Sequence, residues 1–344
     1  MPNPLSEQKC PACGAPLRFD PESGKSVCDW CGSSYEIPVE EDANLAAQAK
    51  PAEELPLYNC LSCGAELVTN EVSASIKCPY CGNNIVLTEK VSGGLRPDGV
   101  IPFRIDKKSL PAAVQEFYKD KKLLPRRFFS ESNIEDLAGV YVPFWLYDCR
   151  LSGTATYDAT RSSAARDGDY VITTTSHYKL YRGVGMDFKD IPVDASARLD
   201  DALMDSLEPF DMSDIKPFQM SYLSGFLAER FDRDSNEVRA RAVDRMRTSA
   251  LGIADANVGG AYAGISRCAN DLKADSITTR YVLLPVYTFN VGWGGKKYSF
   301  AMNGQTGKVI GEIPTDKGRT MLRRWGTFAA VFAVIMLLVS FLSC

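Results

Sequence analysis

Apolar residues follow three rhythms along this chain, and each predicts a different kind of element. At the far end, Trp325 to Cys344 carries no charged side chain. Twenty helical residues span about 30 Å, the hydrocarbon thickness of a bilayer. A buried core helix is seldom apolar on every face, so the stretch predicts a transmembrane helix over 325–344. Lys317, Arg319, Arg323 and Arg324 precede it and no charged side chain follows. The positive-inside rule then puts the rest of the chain on the cytoplasmic side of a tail anchor.

A period near 3.6 marks helices. Ser109 or Asp106 caps one that runs to about Lys121 with Val114, Phe117 and Tyr118 along it, and Leu124-Pro125 stops it. A short helix is predicted near 198–207. Asp234-Ser-Asn-Glu237 reads as a capping box for a helix to about Ala250, with Val238, Ala242, Met246 and Ala250 on its apolar face. Arg239, Arg241, Arg245 and Arg247 fall elsewhere on it and read as a solvated face.

Runs of β-branched and aromatic residues mark strands. Ile101 to Ile105 alternates. Residues 139–151 and 154–160 read as a hairpin turning at Ser152-Gly153, with Pro143 implying an edge position or a bulge. Residues 161–169 read as a polar loop and 170–181 as a further strand. Residues 280–313 read as a meander with turns at Gly292-Trp-Gly-Gly and Gly304-Gln-Thr-Gly. Together these predict an α+β domain over 100–313 with mainly antiparallel strands.

The first ninety residues follow no such rhythm and are organised by cysteine. Four C-x-x-C pairs, Cys10-Cys13, Cys28-Cys31, Cys60-Cys63 and Cys78-Cys81, are each followed by glycine. Every cysteine of the first four recurs 50 residues later, so one unit of the form C-x2-C-x14-C-x2-C is repeated. Two thiolates at this spacing wrap one edge of a tetrahedral ion, and two pairs close its shell. The glycine supplies the positive φ that folds backbone over sulfur. The reading is two zinc ribbons at 8–38 and 58–88, each with a structural Zn2+ site, joined by a linker over 39–57. Units this small lack an adequate core and depend on the metal. Trp30 and Tyr35 are expected to cover the metal and the hairpin. The alternatives are disulfides, a mononuclear iron site and a catalytic zinc. No apolar run opens the chain, so thiols kept reduced in the cytoplasm are expected. A catalytic zinc needs an open position that four cysteines fill; iron fits the same ligand set.

Charge bears on partners. The whole chain of 344 residues carries a formal charge of -4. Residues 1–90 hold 6 basic against 13 acidic side chains, and each Zn(Cys)4 centre adds about two further negative charges. Such a segment repels a phosphate backbone, so nucleic acid is not the expected partner. Catalytic signals are sparse. His177 is the single histidine and reads as a strand residue, Cys149 as a packed small hydrophobe. Asp187, Asp190, Asp194, Asp200 and Asp201 match no carboxylate template and read as a solvated acidic face. No G-x-x-x-x-G-K-[ST] string occurs, which excludes a P-loop ATPase.

The knuckles, together with Val140-Tyr-Val-Pro-Phe-Trp-Leu-Tyr-Asp148, Asp200-Asp-Ala-Leu-Met-Asp-Ser-Leu-Glu-Pro209, Tyr222-Leu-Ser-Gly-Phe-Leu-Ala-Glu-Arg-Phe-Asp232 and Phe300-Ala-Met-Asn-Gly-Gln-Thr-Gly-Lys308, resemble the bacterial TFIIB-type double-zinc-ribbon membrane proteins. That resemblance covers nearly the whole chain. It implies operons encoding PspA-like envelope-stress proteins and SPFH or virion-core-like proteins, and those proteins as partners. The expected fold is multidomain: two small all-β zinc ribbons, an α+β domain and one C-terminal transmembrane helix. The expected protein is not an enzyme. It is a single-pass protein of the bacterial cell membrane, an adaptor recruiting protein partners to the inner membrane face. Alternatives are a zinc-ribbon nucleic-acid-binding regulator or an unrecognised enzyme in the middle domain.

Overall fold

The computed structural model describes residues 10–37 except 16, the short stretches 57–59, 64–68, 76–77 and 84–85, and most of 96–314. Left out of that last range are 120, 122–124, 126–127, 129–132, 199, 259 and 261. Near the end it describes 321, 325–328, 331–332 and 335–336.

Three short strands, β1 (Arg18–Asp20), β2 (Lys25–Val27) and β3 (Ser34–Tyr35), form a small antiparallel sheet in the first cysteine repeat. In the second repeat, β4 (Leu57–Asn59) and β5 (Glu66–Val68) pair with each other, while β6 (Ile76–Lys77) pairs with β7 (Asn84–Ile85). The duplication is visible in register. Ser26 opposite Tyr35 and Val27 opposite Ser34 recur as Ile76 opposite Ile85 and Lys77 opposite Asn84.

The larger part follows in the order β8 (Gly99–Val100), α1 (Leu110–Lys119), β9 (Asn133–Asp167), β10 (Tyr170–Asp194), α2 (Asp201–Leu207), β11 (Lys216–Pro217), β12 (Leu227–Glu229), α3 (Ser235–Ala256), β13 (Gly264–Asn270), β14 (Lys273–Trp293), β15 (Lys296–Asn303) and β16 (Val309–Gly311). Eleven strands share one sheet, whose main path is β11-β8-β14-β9-β12-β5-β4. Most pairings are antiparallel; β12 with β9 and β14 with β8 are parallel. The unbroken apolar run 140–147 is explained by burial on both faces. Tyr141, Trp145 and Tyr147 point into one core with Tyr281, Leu283 and Tyr287, under α1 and α3. Val140, Val142, Phe144 and Leu146 point into the other, with Met204 and Leu207 of α2.

Pro143 is neither at an edge nor at a bulge. It lies where β12, whose pairing ends opposite Tyr141, gives way to β10, whose pairing ends opposite Phe144. A residue without an N–H costs least at such a handover, and its carbonyl accepts from the Ala195 N–H at 2.9 Å. The predicted turn at Ser152-Gly153 does not form: β9 runs through it to Asp167, because β10 on one side and β14 then β13 on the other keep pairing across it. The predicted loop 161–169 is therefore strand, with the turn at Asp167-Gly168-Asp169-Tyr170. The meander forms as expected, but β14 begins at Lys273. The capping box at Asp234 and Glu237 is present, and α3 continues past Ala250 because Leu251 and Ala254 are also buried.

The expected architecture needs correction at the C-terminus and in the sheet. Among the described residues no helix is long and apolar enough to cross a membrane. In 325–344 the described residues are helical, with Trp325, Phe328, Val331, Phe332, Ile335 and Met336 exposed; the other positions lie outside the described residues, as do the basic positions before them. The transmembrane helix, the tail anchor, the cytoplasmic orientation and the cell-membrane localisation that rested on it are corrected accordingly. The fold is a mixed α/β arrangement around a large, mostly antiparallel sheet, and β4 and β5 of the second repeat belong to that sheet through β12.

Candidate metal centre

The first knuckle folds by purely local bonds. The Gly14 N–H donates to the Cys10 carbonyl at 2.8 Å and the Cys10 N–H to the Ala15 carbonyl at 2.7 Å. The second repeats it, with Gly32 N–H on the Cys28 carbonyl at 2.9 Å and Cys28 N–H on the Ser33 carbonyl at 2.9 Å. Gly14 and Gly32 take φ of +74° and +72°, a region that side chains with a Cβ avoid. Gly64, after the third pair, takes +70°. The β1–β2 hairpin joins the two knuckles and sets them face to face.

The four sulfurs of Cys10, Cys13, Cys28 and Cys31 all lie within 4.8 Å of one another. Cys10 Sγ is 3.5 Å from Cys31 Sγ, and Cys13 Sγ is 3.5 Å from Cys28 Sγ. All four are free thiols, which sets the disulfide alternative aside for this cluster. A tetrahedral ion with metal–sulfur bonds of about 2.3 Å needs sulfur–sulfur edges of about 3.8 Å, so the cluster fits a metal ion with little adjustment. Its proton chemistry points the same way. The Tyr35 hydroxyl, 3.5 Å from Cys10 Sγ, is the main cause that pulls that thiol down to about 6. The Ser33 hydroxyl, 3.2 Å from Cys31 Sγ, favours the thiolate and holds the Cys31 thiol below its ordinary range. The Ala15 N–H favours a Cys13 thiolate, but burial and the neighbouring Cys28, Cys31 and Cys10 together push that thiol up to about 12. Protons alone leave the thiolates in conflict, and a cation at the centre removes it.

Of the two aromatics expected to cover this centre, Tyr35 does so and Trp30 does not. Tyr35 packs with Ala15 against Cys10, Leu17 and Cys28. Trp30, between Cys28 and Cys31, is 85% exposed. The residue that anchors the first repeat is Phe19. It is buried, its ring centroid lies 5.4 Å from Tyr222 and 6.4 Å from Phe226, and its N–H donates to the Ser224 carbonyl at 3.1 Å. Cys60, Cys63, Cys78 and Cys81 lie outside the described residues. Gly64, next in sequence to Cys63, accepts at its carbonyl from Arg198 at 2.8 Å.

The remaining candidates divide. His177 is an exposed strand residue opposite Thr160, and Cys149 is buried, both as expected. The acidic face is only partly solvated: Asp187 and Asp200 are exposed as expected, and Asp190, Asp194 and Asp201 are not. Asp194 is fully buried, and Arg241 bridges it to Asp201 and Asp205 at 2.6–3.2 Å. Arg245 joins Asp205 to Glu208, Arg233 holds Asp201, and Arg280 holds Asp190. Two arginines of α3 expected in solvent therefore face the acids of α2 and the end of β10. The helical spacing of Asp201, Asp205 and Glu208, set against Arg241 and Arg245, was the available signal. Burial pushes Asp194 up to about 6 despite its bond from Arg241.

No family model matches the chain, and no solved structure matches it. A curated protein of Bacillus subtilis (strain 168), uncharacterized protein YdjG, is 38% identical over 336 residues, covering 96% of this chain and 97% of that protein. The chain belongs to the YdjG family. The match at this coverage takes in the large sheet. The expected assignment to the double-zinc-ribbon membrane proteins is corrected: neither a matching family model nor, among the described residues, a membrane-crossing helix supports it. The membrane-anchored adaptor reading loses its anchor on the same finding. What stands for this YdjG-family chain is a domain with a four-cysteine cluster able to hold one metal ion.

Proposed function

We propose that the cluster is a structural Zn2+ site, that the Cys60, Cys63, Cys78 and Cys81 set is a second one, and that the chain is a non-enzymatic protein-binding scaffold. The observation that carries this reading is the closed shell. Four cysteine sulfurs converge with no fifth donor among the described residues and no open position, which suits a structural ion and not a catalytic one. When bound, the ion supplies four metal–sulfur bonds that hold the knuckles together. This chain's own residues do the rest: Phe19 seats the ribbon on Tyr222 and Phe226, and Trp30 is left presented to solvent between Cys28 and Cys31. Tryptophan is among the side chains enriched at the anchors of protein interfaces. The surplus of acids over residues 1–90 favours a polypeptide partner over nucleic acid.

Elemental analysis of the purified full chain tests the metal, with about two zinc ions per chain expected from two closed sites. Cys28→Ser should lose about one of them. Iron in place of zinc, or full zinc retention in Cys28→Ser, would overturn the assignment. A photo-crosslinking residue at Trp30, compared with the same residue at Lys119, tests the scaffold. Polypeptide adducts specific to position 30 are expected. Adducts to nucleic acid, or equal labelling from both positions, count against it.

A further inference from the structure

Beyond the metal centre, the molecule carries a feature that the proposed function does not use. The distal halves of β9 and β10, with β13, form a three-stranded arm in the order β10-β9-β13. Its outer strand pairs only with β9 among the described residues, so the far edge of β10 over Tyr170–Arg182 is open. Natural proteins blunt such edges with proline, bulges or charged side chains, lysine above all. Here Tyr170-Val-Ile-Thr-Thr-Thr-Ser-His-Tyr-Lys-Leu-Tyr-Arg182 contains no proline and no acid. The register against β9 is unbroken from 170 to 188. Its one lysine, Lys179, is tied to Asp158 at 2.8 Å. Tyr170, Val171, Ile172 and Tyr181 are each more than half exposed.

We propose that this edge pairs with the same edge of a second copy of the chain, antiparallel about a two-fold axis at Ser176. The side-chain order chooses both the partner and the register. A two-fold pair places residues that share a face opposite one another, so only even sums of residue numbers are allowed. Centring on Ser176 sets Ile172 against the other copy's Leu180 on one face and Val171 against its Tyr181 on the other. Tyr170 then meets Arg182, a cation–π pair, Thr173 meets Lys179, and no like charges stand opposite. Moving the centre one residue toward the tip puts Val171 against Lys179. Moving it one residue the other way puts Ile172 against Arg182. Cross-strand apolar pairs stabilise a sheet, and only the centre at Ser176 joins both. The result is one six-stranded sheet in the order β13-β9-β10 followed by its mirror sequence from the second copy.

The test uses the full chain with Cys268→Ser, which removes the exposed thiol on the arm. Light scattering during gel filtration should give a dimer mass. Ser176→Cys should form an intermolecular disulfide on mild oxidation, because position 176 faces itself. Val171→Cys should not, since its two copies lie about ten residues apart along the strand, about 34 Å. Ile172→Lys with Tyr181→Lys should weaken self-association at least about tenfold while the circular dichroism stays unchanged, both side chains being exposed. A monomer mass at every loading concentration would overturn the proposal. So would equal crosslinking from Val171→Cys, or a dimer indifferent to the two lysines, which would place the contact elsewhere.

Discussion

Asp194→Asn removes one buried charge and leaves the shape of the side chain. Asp194 has no exposed surface. One carboxylate oxygen accepts from Arg241 at 3.2 Å, and the other has no partner among the described residues. Burial outweighs the arginine and moves the group from 3.8 to about 6. That is about two pKa units, or roughly 3 kcal/mol between protonation states as an upper figure. The folded chain holds this proton more tightly than the unfolded chain does. The protonated form therefore contributes its stability in full below the unfolded value of 3.8, and the contribution is lost as pH rises through about 6. Asparagine keeps a carbonyl oxygen toward Arg241 and does not titrate. Urea unfolding of both chains across this range supplies the measurement, with the difference in stability taken at each pH. Groups that titrate in both chains, the cysteines and Glu208 among them, cancel in that difference. Relative to the parent, the variant should gain up to about 3 kcal/mol between about pH 4 and about pH 7. A difference that stays flat with pH would refute the argument, because it would mean that Asp194 keeps its ordinary affinity for protons.

Two further outcomes follow from packing. Phe19→Ala removes the buried ring that seats the first repeat on Tyr222 and Phe226; it should cost about 3 kcal/mol and raise hydrogen exchange across 17–37 while the metal content stays that of the parent chain. Gly304→Ala should cost about 2 kcal/mol, read as a lower urea midpoint, because a Cβ there would stand 2.5 Å from the Phe103 ring and 3.0 Å from Pro285.

How much was legible depended on how far apart in the chain the deciding contacts lie. The knuckles were legible because four residues and a glycine close each one through their own backbone bonds. The capping box at Asp234 was legible for the same reason. The core strands were legible because burial on both faces leaves an unbroken apolar run, as at 140–147. Only part of the arm was legible. Residues 170–181 read as a strand from their β-branched and aromatic content, but Arg161 to Arg166, which meet water on both faces, read as loop, and their pairing across Gly168 was the missing cue.

Spacing alone therefore dictated which four sulfurs meet at the first site, since that geometry is written within a few bonds of each cysteine. Tertiary contacts alone decided the rest: that Trp30 stays outside while Phe19 goes in, that Asp194 loses its water to Arg241, and that β9 runs on past Gly153. Each of those outcomes depends on a neighbour dozens of positions away, and a linear pattern carries no record of which surface will arrive to cover it.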